Sequence, residues 1–215
     1  MGKYFNKNKA FTLVEVLTVV LVIAIIAEMT IPSLISNIQD NMLRSKLKKE
    51  YSIFLSAITA VTATNGGSLF TSDSSYLLNI NESLKDVLSV IKTCSGYNIV
   101  SDGCFTSSYK YVGTSYLGIS YFNIYPVSYT EDSLALVLKD GASLLLYNAT
   151  RGTGSLYGVS YADTEYVNFK LDVNGPAPPN VMDSDIYSGS FINYSSKRRY
   201  VEIWGSYGTS GSMWR

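Results

Sequence analysis

Histidine is absent from all 215 residues. Without it a nucleophile lacks its usual acid–base partner, and two cysteines alone cannot complete an ordinary zinc shell. No glycine-rich phosphate cradle is present either. A Ser/Lys pair is the one nucleophilic arrangement left open, and nothing singles one out, so the chain reads as a non-enzyme. Charge is also scarce: 16% of residues are charged, with 17 basic against 17 acidic side chains. That balance gives no support for a strongly basic nucleic-acid surface. No segment repeats at a fixed period. Tyrosine, by contrast, is abundant at 18 residues.

What the chain has is a long apolar run with an acid near its start. Lys9-Ala10-Phe11-Thr12-Leu13-Val14-Glu15-Val16-Leu17 opens a stretch that continues apolar to Ala27, interrupted only by Glu15 and the hydroxyls of Thr12 and Thr18. A carboxylate inside hydrocarbon costs roughly 2.5–3.5 kcal/mol even on forgiving insertion scales, so Glu15 is a functional candidate by position. Lys3, Lys7 and Lys9 precede it with no acid among them. Phe11 to Ala27 is 17 residues, about 26 Å of helix, near the short limit for a membrane span. Continuation to Ile35 lengthens the span and brings in Glu28 and Pro32. A secretory signal cleaved after Ile25-Ile26-Ala27 and an uncleaved signal anchor are the alternatives. Neither explains Glu15.

These residues resemble the prepilin family, the type IV pilins and the pseudopilins of type II secretion. The family pattern is a short basic leader, a small residue, then Phe-Thr-Leu-(Val/Ile)-Glu opening a hydrophobic helix. Here it reads Ala10, then Phe11-Thr12-Leu13-Val14-Glu15, with Ala10 where the family most often has glycine. The resemblance implies that a prepilin peptidase cuts between Ala10 and Phe11 and N-methylates Phe11. It further implies that Glu15 directs assembly with other pilin or pseudopilin subunits at an inner-membrane assembly platform. It covers the first thirty-odd residues.

The three leader lysines favour the cytoplasm. This predicts a single pass through the inner membrane, with membrane lipid around the helix and the C-terminal domain outside the cytoplasm, later in a periplasmic or extracellular filament. The expected organisation is a leader at 1–10, a membrane and assembly half-helix at 11–35, an amphipathic half-helix at 36–64 and an exported domain at 65–215. In an exported chain, Cys94 and Cys104, ten positions apart, read as a disulfide, with two reduced buried thiols as the alternative.

Beyond Pro32, apolar residues recur at Leu34, Ile35, Ile38, Met42, Leu47, Tyr51, Phe54, Leu55, Ile58 and Val61, which marks one helical face. Asp40, Arg44, Lys46, Lys48, Lys49 and Glu50 fall on the polar face, and Asn65-Gly66-Gly67 is the expected stop. Pro32 cannot donate to the carbonyl of Glu28, so a kink is expected there, or else one helix ends and another begins. The resemblance favours the kink. Asn79-Ile80-Asn81-Glu82 predicts a short helix running to Lys92. Asp140-Gly141 predicts a two-residue hairpin turn between 133–139 and 142–147. Further strands are expected at Glu165–Val173 and Arg199–Trp204. The periodicity supports an α+β fold; the resemblance implies a long kinked N-terminal helix packed on a C-terminal antiparallel sheet.

Asp172-Val173-Asn174-Gly175-Pro176, followed by Asn180 and Asp183-Ser184-Asp185, crowds oxygen donors into a Gly/Pro-rich loop. Such donors suit a hard cation such as Ca²⁺, and Asp172, Asn174, Asp183 and Asp185 are the candidate ligands. The same residues are ordinary turn formers, so a plain structural loop with no cofactor is the competing reading. The stretch resembles a loop of pseudopilin-like proteins, some of which bind calcium in this region. Two functions follow from the whole. One is a structural filament subunit, with 215 residues favouring a minor one; the other is a tip-located binding module for an adhesin target, DNA or a secretion substrate.

Overall fold

The computed structural model describes residues 12–71, 76–114, 120–156, 159–194 and 199–204. The chain divides into two compact units, residues up to Met42 and those from Leu43 on.

The first unit is the opening part of helix α1, Leu13–Thr64. Its apolar side chains, from Leu13 through Ile23 to Met42, are exposed, as suits a surface solvated by hydrocarbon. Few polar groups interrupt it up to Ala27 and more follow from Glu28 on, several of whose hydroxyls are satisfied within the helix. Thr18 Oγ1 donates to the Val14 carbonyl at 2.8 Å, Thr30 Oγ1 to that of Ile26 at 3.0 Å, and Ser33 Oγ to that of Thr30 at 3.2 Å. Back-bonded hydroxyls need no external partner, which lowers their cost in lipid. Helix α1 runs through Pro32 without ending, so the two-helix alternative is set aside.

The second unit begins with the rest of α1. Leu47, Phe54, Ala57, Ile58 and Val61 recur at helical spacing and are buried together. The helix ends where expected. Gly67 N–H bonds the Thr62 carbonyl at 2.7 Å, and Gly66 takes φ +68°, the left-handed cap that glycine adopts without a Cβ penalty.

A second helix, α2, spans Tyr76–Val87, starting and stopping earlier than the sequence predicts. Asn79 lies inside it and accepts a hydrogen bond from Thr71, while Glu82 pairs with Lys85 at 2.9 Å. Ile91 falls on the first strand, β1, Val90–Ser95, and is 66% exposed. The Leu84, Val87, Leu88, Ile91 spacing is thus helical only in its first part.

Strands β2, Ser108–Thr114, and β3, Ser120–Pro126, form a separate two-stranded ribbon. The remaining strands are β4 (Leu134–Leu138), β5 (Ser143–Leu156), β6 (Val159–Asp172), β7 (Ile186–Tyr194) and β8 (Arg199–Trp204). With β1 they make a six-stranded antiparallel sheet in the order β1-β4-β5-β6-β7-β8. A long apolar helix followed by an antiparallel sheet is the α+β layout of a pilin.

Alternation along the strands separates two faces. Leu134, Leu136, Leu138, Leu144 and Leu146 join the core with α1 and α2, whereas Ala135 and Leu145 pack with Cys94, Ile99, Cys104, Phe105 and Val127 on the other face. Phe54 meets Phe169 and Phe191 edge-on, with ring centroids 6.0 and 5.8 Å away. Gly189 makes room for this cluster, because a Cβ there would sit 2.5 Å from Phe169 Cζ and 2.3 Å from the Glu202 carbonyl oxygen.

The β4–β5 hairpin has a three-residue loop rather than two. Leu138 N–H bonds the Ala142 carbonyl at 2.8 Å and Gly141 N–H bonds that of Leu138 at 3.0 Å, leaving Lys139, Asp140 and Gly141 outside the ladder. A two-residue type I′ turn needs two positive φ values; only Gly141 has one here, at +90°.

Candidate functional site

Ala10 and Phe11, where cleavage and methylation are expected, lie outside the described residues. The description begins one residue later, with a reciprocal cap at Thr12 and Glu15. The Glu15 carboxylate accepts from Thr12 N–H at 2.9 Å and from Thr12 Oγ1 at 2.8 Å, and Glu15 N–H reaches back to Thr12 Oγ1 at 3.3 Å. This is a capping box: the N-cap hydroxyl and the third-residue carboxylate satisfy otherwise unpaired donors at the helix start. The acid to which the prepilin resemblance gives an expected assembly role therefore also closes its own helix. Thr-x-x-Glu is the sequence signature of that box, and Thr12 is the functional residue it would have found. Pro32, the other residue expected to serve assembly, lies within α1, 17 positions after Glu15.

Cys94 of β1 and Cys104 are joined by a disulfide, with Cα atoms 6.2 Å apart and both side chains buried. The bridge encloses a short 3₁₀ turn, Gly96–Ile99, and packs against Phe105 and Leu145.

The Asp-rich loop sits between β6 and β7. Asp185 is buried, and each of its oxygens is engaged: Oδ2 accepts from Asn180 N–H at 2.8 Å and Oδ1 from Val181 N–H at 2.5 Å. Asp172 is also buried. Its Oδ1 accepts from Asn174 N–H at 3.3 Å, while its Oδ2 has no hydrogen-bond partner. Burial, and then the charge of Asp185, push the Asp172 carboxyl up to about 8. Asn174 Oδ1 and Asn180 Oδ1 are buried without partners too. Asp183 holds a left-handed φ of +65°, and its N–H bonds the Ile186 carbonyl. Among the described residues no group of three or more Asp, Glu or Cys is arranged to hold a metal ion. Asp172 Oδ2 and the amide oxygens of Asn174 and Asn180 accept no hydrogen bond, and the Asp185 carboxylate also shapes the turn.

Two buried acids stand outside the sequence candidates. Glu165 of β6 accepts from Ser68 Oγ and Leu69 N–H, each at 2.5 Å, from Asn193 at 2.8 Å and from Arg151 Nη2 at 2.7 Å. Desolvation alone would raise its pKa, yet these donors together hold it below the ordinary value. The cluster ties the segment after α1 to β5, β6 and β7. Glu50 corrects the assignment of the polar helical face. It is 1% exposed, because it lies three residues after Leu47 and four before Phe54, within the buried stripe. Its immediate neighbours are Lys49, 3.6 Å away, and Asp140, which itself pairs with Lys49.

Residues 5–27 match the family model for the prokaryotic N-terminal methylation motif, the signature of type IV pilins and pseudopilins. The match supports a pilin- or pseudopilin-like precursor, a structural subunit processed by prepilin peptidase and assembled with other pilin subunits. The apolar helix that it opens fits membrane anchoring. No curated protein and no solved structure matches the chain.

Proposed function

We propose that this chain is the precursor of a minor subunit of a type IV pilus or a type II secretion pseudopilus. The observation that carries the reading is the methylation motif at 5–27 continuing directly into a helix whose apolar side chains are presented outward. The lysine-rich leader holds the N-terminus in the cytoplasm, the helix anchors the subunit in the inner membrane, and the sheet domain is exported. Prepilin peptidase removes residues 1–10 and methylates Phe11, leaving its amine cationic. That amine, on the adjoining subunit, pairs with Glu15 and sets the axial register of the two chains. Pairing relieves a carboxylate penalty on the order of 2.5–3.5 kcal/mol in hydrocarbon. Within one chain, the Thr12 cap holds the Glu15 carboxylate at the same helix end. N-terminal mass spectrometry of membrane-extracted protein tests the processing step. The expected product begins at Phe11 and carries one methyl group; an intact Met1, or a start after Ala27, overturns it.

We further propose Ca²⁺ at the loop between β6 and β7, on Asp172, Asn174, Asp183 and Asp185. Asp172 Oδ2 and the Asn174 amide oxygen are the donors it would newly satisfy. Bound cation would stabilise the folded protein by mass action. Thermal unfolding in 1–5 mM CaCl₂ (roughly, the upper range of extracellular-module affinities) should exceed that in chelator, and Asp172→Asn should abolish the difference. Identical unfolding in both solutions refutes the site.

A further inference from the structure

Glu28 is the second acid in the apolar half of α1, and pairing at Glu15 makes no use of it. Its carboxylate is exposed and, among the described residues, meets no hydrogen-bond donor or cation. Its backbone carbonyl is short of a donor too, because Pro32 stands where the helical N–H would be. Nearby hydroxyls do not replace that donor. Thr30 Oγ1 donates to the carbonyls of Ile26 and Ala27, and Ser33 Oγ to that of Thr30. One helical turn thus presents an unpaired acid and an open carbonyl, on the same face as the exposed Leu21, Ala24 and Ile25.

Glu28 does not share the partner of Glu15. It lies 13 positions later, which turns it about 140° round the helix at 3.6 residues per turn. A neighbour seated against Glu15 therefore leaves Glu28 to a different neighbour. A second copy of this chain is poorly equipped for that place, since no Lys or Arg occurs between Phe11 and Leu43. The amine expected at Phe11 lies 17 positions before Glu28, about 26 Å of helix. Arg44 lies 16 positions after it.

We propose that Glu28 selects a partner: it docks a different pilin-like subunit, one that carries a lysine or arginine in the membrane half of its own helix. The proposal rests on the filament-subunit reading and adds which neighbour the chain accepts. The partner's cation would pair with the Glu28 carboxylate, and its apolar side chains would pack on Leu21, Ala24 and Ile25. Phe11 to Ala27 is 17 residues, about 26 Å against a hydrocarbon core of ~30 Å. Glu28 therefore reaches the far lipid boundary, where water and headgroups solvate it. Withdrawn among packed helices it loses that solvation, and a neighbour that brings a cation offsets the loss. A neighbour without one leaves the charge unpaired, which discriminates against the wrong partner.

The test uses the full chain, processed by prepilin peptidase, in phospholipid vesicles, with energy transfer read between donor- and acceptor-tagged subunits. The probe partner is the same chain carrying Glu28→Lys, which supplies a cation in an otherwise unchanged helix. The unsubstituted chain should associate with the probe about tenfold more tightly than either does with itself, because a charge-assisted pair forms. Glu28→Gln in place of the unsubstituted chain should remove the preference. Glu15→Val in both chains should leave it, because Glu15 lies on another face. Equal association in all pairings, or loss of the preference with Glu15→Val, overturns the proposal while leaving cleavage and Glu15-directed assembly standing. In sheared filaments, p-benzoylphenylalanine placed at Ala24, with Glu28 intact, should crosslink to another subunit that has a lysine or arginine in the membrane half of its helix. Crosslinks to copies of this chain alone, to a subunit with no base there, or to nothing overturn the proposal, as does incorporation of Glu28→Lys at the unsubstituted level. A chain left uncut at Phe11 removes the filament reading and this proposal with it.

Discussion

Glu15 is an acid placed where hydrocarbon makes acids costly, and Thr12 is the residue that contains the cost within one chain. Two donors from Thr12 converge on one carboxylate oxygen, so the charge is held against the helix start, where the backbone dipole also favours it. Glu50 is a different case, a carboxyl buried among leucines and raised to about 8. Between pH 4.5 and about 8 the unfolded chain has released this proton while the folded chain keeps it, so stability falls as pH rises through that window. Asp172, also raised to about 8, acts in the same direction. A tenfold difference in proton affinity between the two states corresponds to about 1.4 kcal/mol. Unfolding midpoints should therefore drop from pH 5 to pH 8 in the unsubstituted protein and drop less in Glu50→Gln. Equal slopes for the two would show that Glu50 is not the group responsible.

At the scale of elements, the disulfide is the clearest prediction. It closes a loop of ten positions, and the chain-entropy model gives roughly 2.5–3 kcal/mol for that size. The Cys94→Ala, Cys104→Ala double variant should lose about that much stability, with the loss seen first as exchange of the amides of 96–105. Peptide mapping of the exported protein without reductant should find the two cysteines joined; free thiols would contradict it. Some elements are legible in the sequence and others are not, for physical reasons. The α1 stop is legible because Asn65-Gly66-Gly67 supplies residues suited to a left-handed cap. β4 and β5 are legible as leucine-rich runs on either side of Asp140-Gly141, although the loop length is not, since one glycine serves either turn. Strand β7 escapes the pattern because Ser188, Gly189 and Ser190 break its apolar alternation, and Gly189 is there to admit Phe169. Helix α2 is displaced because Asn79-x-x-Glu82 imitates a start inside a helix that has already begun. The buried position of Glu50 is readable from its spacing to Leu47 and Phe54, but its charge argues for the wrong face.

At the scale of the whole molecule, the two units divide the work by solvent. The first carries apolar side chains outward and satisfies the hydroxyls of Thr18, Thr30 and Ser33 from its own backbone, properties that make sense in lipid or against the same helix of a neighbour. The second builds a sheet domain around Phe54, Phe169 and Phe191, closed by a disulfide and by the Glu165 cluster. A minor role implies that the subunit supplies a small share of purified filament mass. The central claim is that Glu15 directs incorporation through an intersubunit pair rather than serving only its own helix. The most direct test is Glu15→Val, followed by fractionation of membranes and sheared filaments. The variant should be cleaved, N-methylated and membrane-resident, because the apolar helix is intact, and it should be missing from the sheared filaments. If Glu15→Val is incorporated at the level of the unsubstituted chain, assembly through Glu15 is wrong.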